Sequence, residues 1–428
     1  MTSSRRRFMH SASAGSLAIP FFSPLVFGDT LQNGRIPPFP QPGDPDYWRK
    51  VRNQFLLARD KVFFNNGTIG VTPRVVLDKV IEHMTRMATD IADWDYRGDD
   101  WIAGYGPQTT VRTKAAKLLN ADVKEVALTE NVTCAMSYVA DGLDLPADSE
   151  VIISDQEHPG GQSSWLVAQK RRHVAVKVVK LPKPAQNPEE IIDRINAAIT
   201  PKTRVIAISH VISGSGAILP VKEICAEARK RNIFTVLDGA HAVGHIPVDV
   251  RAIGCDAYVG CFHKWLLAPP GNGFLYVRSE RAQDVWSTLA SAQWDNHEDE
   301  GYRFSQRGTG SLSMLVGMEA ALDFHESLGP ERVQQRVKLL GDRLREGLRS
   351  MPKVVQFSPH DPAMCAGITV YNVEGVTGAR LQDEMWAHGR MRPRSMGDVF
   401  GVRQCTHIYN SPEEVDATLR VVSKLASA

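Results

Sequence analysis

Four short apolar runs of this chain end in residues able to do chemistry. The run 233–237 leads into Asp238-Gly239-Ala240-His241, and the run 257–261 leads into Phe262-His263-Lys264-Trp265. A lysine at the end of a buried strand is poorly solvated, which disfavours its ammonium form and leaves a nucleophilic amine. The run 125–129 leads into Glu130-Asn131-Val132-Thr133 and then a helical stretch. The free N–H groups and positive dipole end of such a turn suit an anion, a phosphate above all. The run 151–154 leads into Asp155-Gln156-Glu157-His158-Pro159. An amine, a carboxylate, an anion cradle and an imidazole therefore share one kind of position. Pyridoxal phosphate asks for that set: a lysine for its Schiff base, an aspartate at its pyridine nitrogen, a phosphate site and a flat side chain over its ring.

The elements that must position these groups alternate. Strand candidates lie at 125–129, 151–154, 174–180, 204–209, 233–237, 257–261 and 273–277, several of them near-continuous Val/Ile runs. Helical stripes separate them: Ile191, Ile192, Ile195 and Ile199 fit one face, and Val221, Ile224, Cys225 and Ala228 another. This alternation predicts an α/β fold with a mostly parallel seven-stranded sheet flanked by helices, where ligands bind beyond the carboxyl ends of the strands. Val333, Val337, Leu340, Leu344 and Leu348 step by three and four, as do Val415, Leu419, Val422 and Leu425. With a strand candidate at 367–372, they predict a small C-terminal α/β domain over 325–428, after a large domain over 45–324.

Residues 236–277 carry the most specific pattern. Asp238-Gly239-Ala240-His241-Ala242-Val243-Gly244, then His263-Lys264-Trp265 and Pro269-Pro270-Gly271-Asn272-Gly273, resemble the signature of class V aminotransferases. These are fold-type I pyridoxal phosphate enzymes that include isopenicillin N epimerase and the cysteine desulfurases. The resemblance extends from about residue 60 onward. It takes in Phe64-Asn65-Asn66-Gly67 with Gly70 and Pro73, which resemble the family's substrate-side loop. Arg307-Gly308-Thr309 and Arg403 with His407-Ile408-Tyr409-Asn410 are similar to two further family segments.

The resemblance implies the following roles. Lys264 makes the Schiff base and moves protons at the substrate Cα. Asp238 pairs with the pyridinium, His158 stacks on the ring and His241 bonds the ring hydroxyl. Asn131, Val132, Thr133 and His263 hold the phosphate, to which Thr309 is lent by a neighbouring subunit of a homodimer. Asn66 and Arg403 belong to the substrate side, Arg403 gripping a carboxylate as a bidentate fork. Arg390, Arg392 and Arg394 lie just upstream and are alternative carriers of that role.

Other features narrow the reading. Fifty Lys and Arg face 48 Asp and Glu along the chain, with no basic stripe for nucleic acid. His241 and His245 are spaced as half a zinc site, but Gly239, Gly244 and Pro247 break the helix it needs, so no metal is expected. The stretch 390–398 holds no Cys, where cysteine desulfurases need their nucleophile; persulfide chemistry is therefore not expected. Residues 1–28, with Arg5 and Arg6 ahead of a mostly apolar stretch from Ser11, resemble a twin-arginine export signal; residues 29–44 read as a linker. The expectation is a periplasmic enzyme, moved by the twin-arginine translocase and not membrane-anchored. It would act on an amino acid or peptide-like natural product by transamination- or deamination-type tailoring. Epimerisation, C–S or β-elimination, and a catalytically silent binding protein on the same fold are the alternatives.

Overall fold

The computed structural model describes residues 40–44, 46–94 and 106–427; the expected leader and most of the linker lie outside them. A helix, Tyr47–Arg52, precedes a short strand, β1 (Val62–Phe63). Seven strands follow in one sheet: β2 (Val126–Thr129), β3 (Glu150–Ser154), β4 (Ala175–Val179), β5 (Thr203–Ser209), β6 (Phe234–Asp238), β7 (Ala257–Cys261) and β8 (Gly273–Val277). They run in the order β2-β8-β7-β6-β5-β3-β4. Only β8 opposes its neighbours; β3, β4, β5, β6 and β7 pair in parallel.

Alternation along β5 shows why the sheet is buried on both faces. Ile206 and Ile208 enter one core, while Val205 and Ala207 enter the other. The helix Val221–Lys230 covers one face with Val221, Ile224, Cys225 and Ala228, the stripe read from the sequence. Strand β4 differs: it is an edge strand with Val178 in solvent, so its Val run is not doubly covered. β6 ends one residue later than the apolar run suggests. Asp238 itself is in the ladder, opposite Ser209 and Val259. Its side chain is thereby fixed by sheet geometry instead of hanging from a loop.

The helix Leu312–Leu328 stops at Gly329, whose φ of 85° suits a residue without Cβ, and Pro330 starts the next helix, Pro330–Arg349. The remaining strands are β9 (Val354–Gln356), β10 (Ile368–Val373), β11 (Met391–Arg392), β12 (Arg394–Ser395) and β13 (Val402–Cys405). Four of them form a second sheet in the order β12-β13-β10-β9. Its core includes Leu340, Leu344, Tyr371, Leu381, Val402 and Val415, and Phe64 from the N-terminal segment joins it. That segment is tied in by β1, which pairs with β11. Among the described residues no helix is long and apolar enough to cross a membrane.

Candidate active site

The carboxyl ends of β2, β3, β5, β6 and β7 open on one cavity of about 220 Å³. Asn131, Val132, Thr133, His158, Asp238, His241, His263, Lys264 and Arg403 all line it. Two expected residues do not. Asn66 is wholly buried behind the cavity, its Oδ1 accepting from the Tyr409 hydroxyl at 2.9 Å. Thr309 is exposed on the segment that precedes the helix Leu312–Leu328.

The anion end is built by a helix start. Asn131 caps the helix Val132–Gly142, its Oδ1 accepting from the Cys134 N–H at 3.0 Å, which points the first-turn N–H groups at the cavity. His263 adds a buried Nδ1 with no partner. On the wall, His158 caps the helix Pro159–Arg172. The Gly160 N–H donates to His158 Nδ1 at 3.0 Å, so a neutral ring carries its proton on Nε2. Glycines keep this wall thin. A Cβ on Gly160 would come 2.6 Å from Thr133 Oγ1, and one on Gly161 would come 2.9 Å from Asp238 Oδ2.

Asp238 is buried, and Oδ1 accepts from the Ala240 N–H at 2.9 Å. Burial pushes its carboxyl up; that bond, Lys264 and His158 oppose the shift. Lys264 Nζ lies 3.4 Å from His241 Nε2. The Trp265 indole N–H, which can only donate, faces His241 Nδ1 at 3.4 Å. Burial first, and Lys264 next, hold the His241 ring well below its ordinary value and hence neutral. The indole donor at Nδ1 leaves the proton of the neutral ring on Nε2, which faces Lys264 Nζ and can donate only to its uncharged amine.

A column of rings supports this loop. His245 stacks on Trp265 with centroids 3.6 Å apart and planes 3° from parallel. Gly367 N–H donates to His245 Nε2 at 2.6 Å, so His245 Nδ1–H donates to the His241 carbonyl at 2.6 Å. Below, Ile408 N–H donates to His407 Nδ1, and His407 Nε2–H donates to the Trp265 carbonyl at 3.1 Å. The His241/His245 spacing is thus structural: one ring faces the cavity and the other packs beneath it.

Across the cavity, Arg403 on β13 is 1% exposed. It donates to Ser213 Oγ at 2.6 Å, Asn65 Oδ1 at 3.2 Å and Thr68 Oγ1 at 3.0 Å, and its Nε has no partner. All three acceptors are uncharged, so the buried guanidinium still lacks an anion. The four arginines of this region are separated by their surroundings. Arg390 and Arg392 lie over the Trp386 ring at 5.6 and 4.1 Å, whereas Arg394 lines the cavity. Gly67 fits between Cys405 Sγ, Arg403 and His241, and Gly70 crosses so closely that a Cβ there would overlap the Lys264 carbonyl oxygen.

Sequence reasoning missed Glu157. Its carboxyl accepts from Ser154 Oγ and Ser209 Oγ, both at 2.5 Å, at the ends of β3 and β5. Desolvation pushes it up to about 7, against those two bonds. A carboxylate beside the chosen His158 was its only sequence signal.

The Aminotransferase class-V family model matches residues 61–421. The chain belongs to the class V aminotransferase family. It is 31% identical over 386 residues to an isopenicillin N epimerase of Streptomyces clavuligerus, covering 86% of this chain and 96% of that one. It is 26% identical over 413 residues to a probable cysteine desulfurase of Xylella fastidiosa, covering 90% and 96%. A solved structure of a C-DES mutant, with glycine covalently linked to its PLP cofactor, superposes with a TM-score of 0.77 at 23% identity. It covers 89% of this chain and 99% of that one. That likeness shows the fold, fold-type I. As a member of this family the chain is a pyridoxal phosphate-dependent enzyme, and the cavity fits the cofactor. An anion cradle with an unpartnered buried imidazole nitrogen, walls that a Cβ would fill, a strand-held carboxylate and a lysine converge there.

Proposed function

We propose that this enzyme moves a proton at the Cα of an amino acid or peptide-like substrate, and that epimerisation is its net reaction. One observation carries the reading. The Lys264 amine, the Asp238 carboxylate and the otherwise anion-free Arg403 guanidinium face a single cavity from three distant segments. Asn131, Val132, Thr133 and His263 would hold the cofactor phosphate, with Asp238 at the pyridine nitrogen and His158 on the ring face. Bound there, pyridoxal phosphate supplies an electron sink for negative charge at Cα.

Arg403 binds the substrate carboxylate and so fixes which bonds at Cα face Lys264. Lys264 Nζ takes the Cα proton from one face, and a solvent-derived proton returned to the opposite face completes the inversion. His241 Nε2–H faces the Lys264 amine and, being neutral, adds no charge beside it. Gly70, lying across Lys264, helps close the floor to water. Epimerisation is favoured over transamination by 31% identity across nearly the full length of an isopenicillin N epimerase. The lack of Cys in 390–398 disfavours persulfide chemistry. Export by the Arg5-Arg6 signal to the periplasm, and a homodimer in which Thr309 serves the partner's phosphate, complete the proposal.

The test is turnover in deuterium oxide. Deuterium at Cα with inverted chirality is expected; conversion of the cofactor to its amine form with release of an oxo acid would make the enzyme a transaminase. A purified protein that stays colourless with added cofactor, and from which borohydride fixes nothing on Lys264, would contradict the enzyme reading. Cell fractionation checks export, and light scattering the dimer.

A further inference from the structure

One serine links the cavity's carboxylate to a second acid. Ser209 and Asp238 are partners in the parallel β5–β6 ladder, so their side chains leave the sheet on one face, and both line the cavity. Glu157 bridges the ends of β3 and β5, bonded to Ser154 Oγ and Ser209 Oγ at 2.5 Å each. Among the described residues no lysine or arginine pairs with its carboxyl, whereas Lys264 and His158 both act on Asp238.

This cluster has two hydrogen-bond states. An ionised Glu157 can only accept, so both serine hydroxyls donate to it. A protonated Glu157 donates to one of them; when that is Ser209, the serine's own proton is free to turn to the Asp238 side. The charges favour the second state, because two carboxylates at one site raise each other's hold on a proton. The groups facing Glu157 are Ser154 from β3, Ser209 from β5, Asp238 from β6 and the adjoining His158. Burial first, and Asp238 to a lesser extent, hold the Glu157 carboxyl up to about 7 against the two serine bonds. His158 and His241 are both held below their ordinary value by burial, so their midpoints lie lower.

Resting on the reading above, we infer that Glu157 is a positioning residue for the cofactor: its proton, relayed through Ser209, keeps Asp238 the single negative charge at the ring-nitrogen end. When Glu157 ionises, Ser209 turns to it and a second negative charge stands beside Asp238. A cofactor that is itself anionic through its phosphate is then held less well.

The experiment is a titration with pyridoxal phosphate of wild type and Glu157→Gln across pH, read by the visible band of the bound cofactor. Glu157→Gln keeps one donor and one acceptor, as a protonated carboxyl does, and cannot ionise. The cofactor's own titration is common to both proteins, so the ratio of their dissociation constants isolates the carboxyl. The expected ratio is near one at about pH 5.5, with wild type binding about three-fold or more weakly than the variant at about pH 8.5. Its midpoint should fall at about 7. Ser209→Ala keeps Glu157 but cuts the relay, and should lose about half or more of the wild-type fall in affinity. Measured against wild type, it carries the test if Glu157→Gln does not fold. A ratio that stays flat with pH, a Glu157→Gln that binds more weakly than wild type at high pH, or the full fall in Ser209→Ala overturns the inference. In that case an enzyme that binds the cofactor and exchanges Cα protons leaves the function reading standing, whereas one that holds no cofactor at any pH removes its basis.

Discussion

The two sides of the cavity are built differently. On the cofactor side each group sits at the end of a buried strand or the start of a helix, and local bonds hold it. Asp238 lies in the sheet ladder and accepts from Ala240, and Asn131 and His158 are helix caps. On the substrate side, Asn65, Thr68, Ser213 and Arg403 come from three distant segments; one backbone bridge ties Asn65 to Cys405 beside Arg403, and side-chain bonds from Arg403 draw the rest together. The first side is set by the backbone before any ligand binds. The second is a buried cation with neutral partners, which the proposed substrate carboxylate would complete. A permanent group suits the first arrangement and an exchanging substrate suits the second.

The largest effect should come from Lys264→Ala. Loss of the proton-transferring amine is expected to lower turnover by about 10³-fold or more, while Asp238 and the helix caps still retain the cofactor without a covalent bond. Activity assays and cofactor analysis check both halves of that statement. If the cofactor is lost as well, the cofactor side is less self-sufficient than its bonds imply. Gly70→Ala attacks the seam between the sides. Its Cβ would displace the Lys264 carbonyl, so stability should fall by about 1–3 kcal/mol, read by denaturant titration.

Glu157→Gln is the finest probe. The folded protein holds this carboxyl up to about 7, mainly by burial, against 4.5 unperturbed. The unfolded chain therefore releases the proton first as pH rises. Wild-type stability should fall between about pH 4.5 and 7 through this group and level off above. The variant lacks that loss, so its melting temperature relative to wild type should climb across the same window; a flat difference would contradict the placement.

The same contrast explains what was legible in the sequence. The seven strands, the two long C-terminal helices and Asp238, Lys264, His158 and Asn131 are readable because apolar runs locate strand ends and each group follows within a few residues. Thr68 has no such signal; Ser213 follows the run 204–209 by four residues and falls where relatives carry an Asn near the ring hydroxyl, but only the fold brings the two to Arg403. Arg392 and Arg394 look equivalent two residues apart. Yet Arg392 ends β11, paired to β1, while Arg394 begins β12, paired to β13, and the change of partner at Pro393 sends them to different places. The column of His245, Trp265 and His407 was likewise invisible, because it joins the Lys264 loop to His407, 142 positions from Trp265.

The division between a preformed cofactor side and an anion-completed substrate side is tested most directly on one protein, Arg403→Gln. Cofactor affinity and substrate-carboxylate affinity are measured on the same preparation by absorbance titration. The account predicts cofactor binding within about two-fold of wild type and carboxylate binding weakened by about 10²-fold. Loss of both together, or of neither, would contradict it.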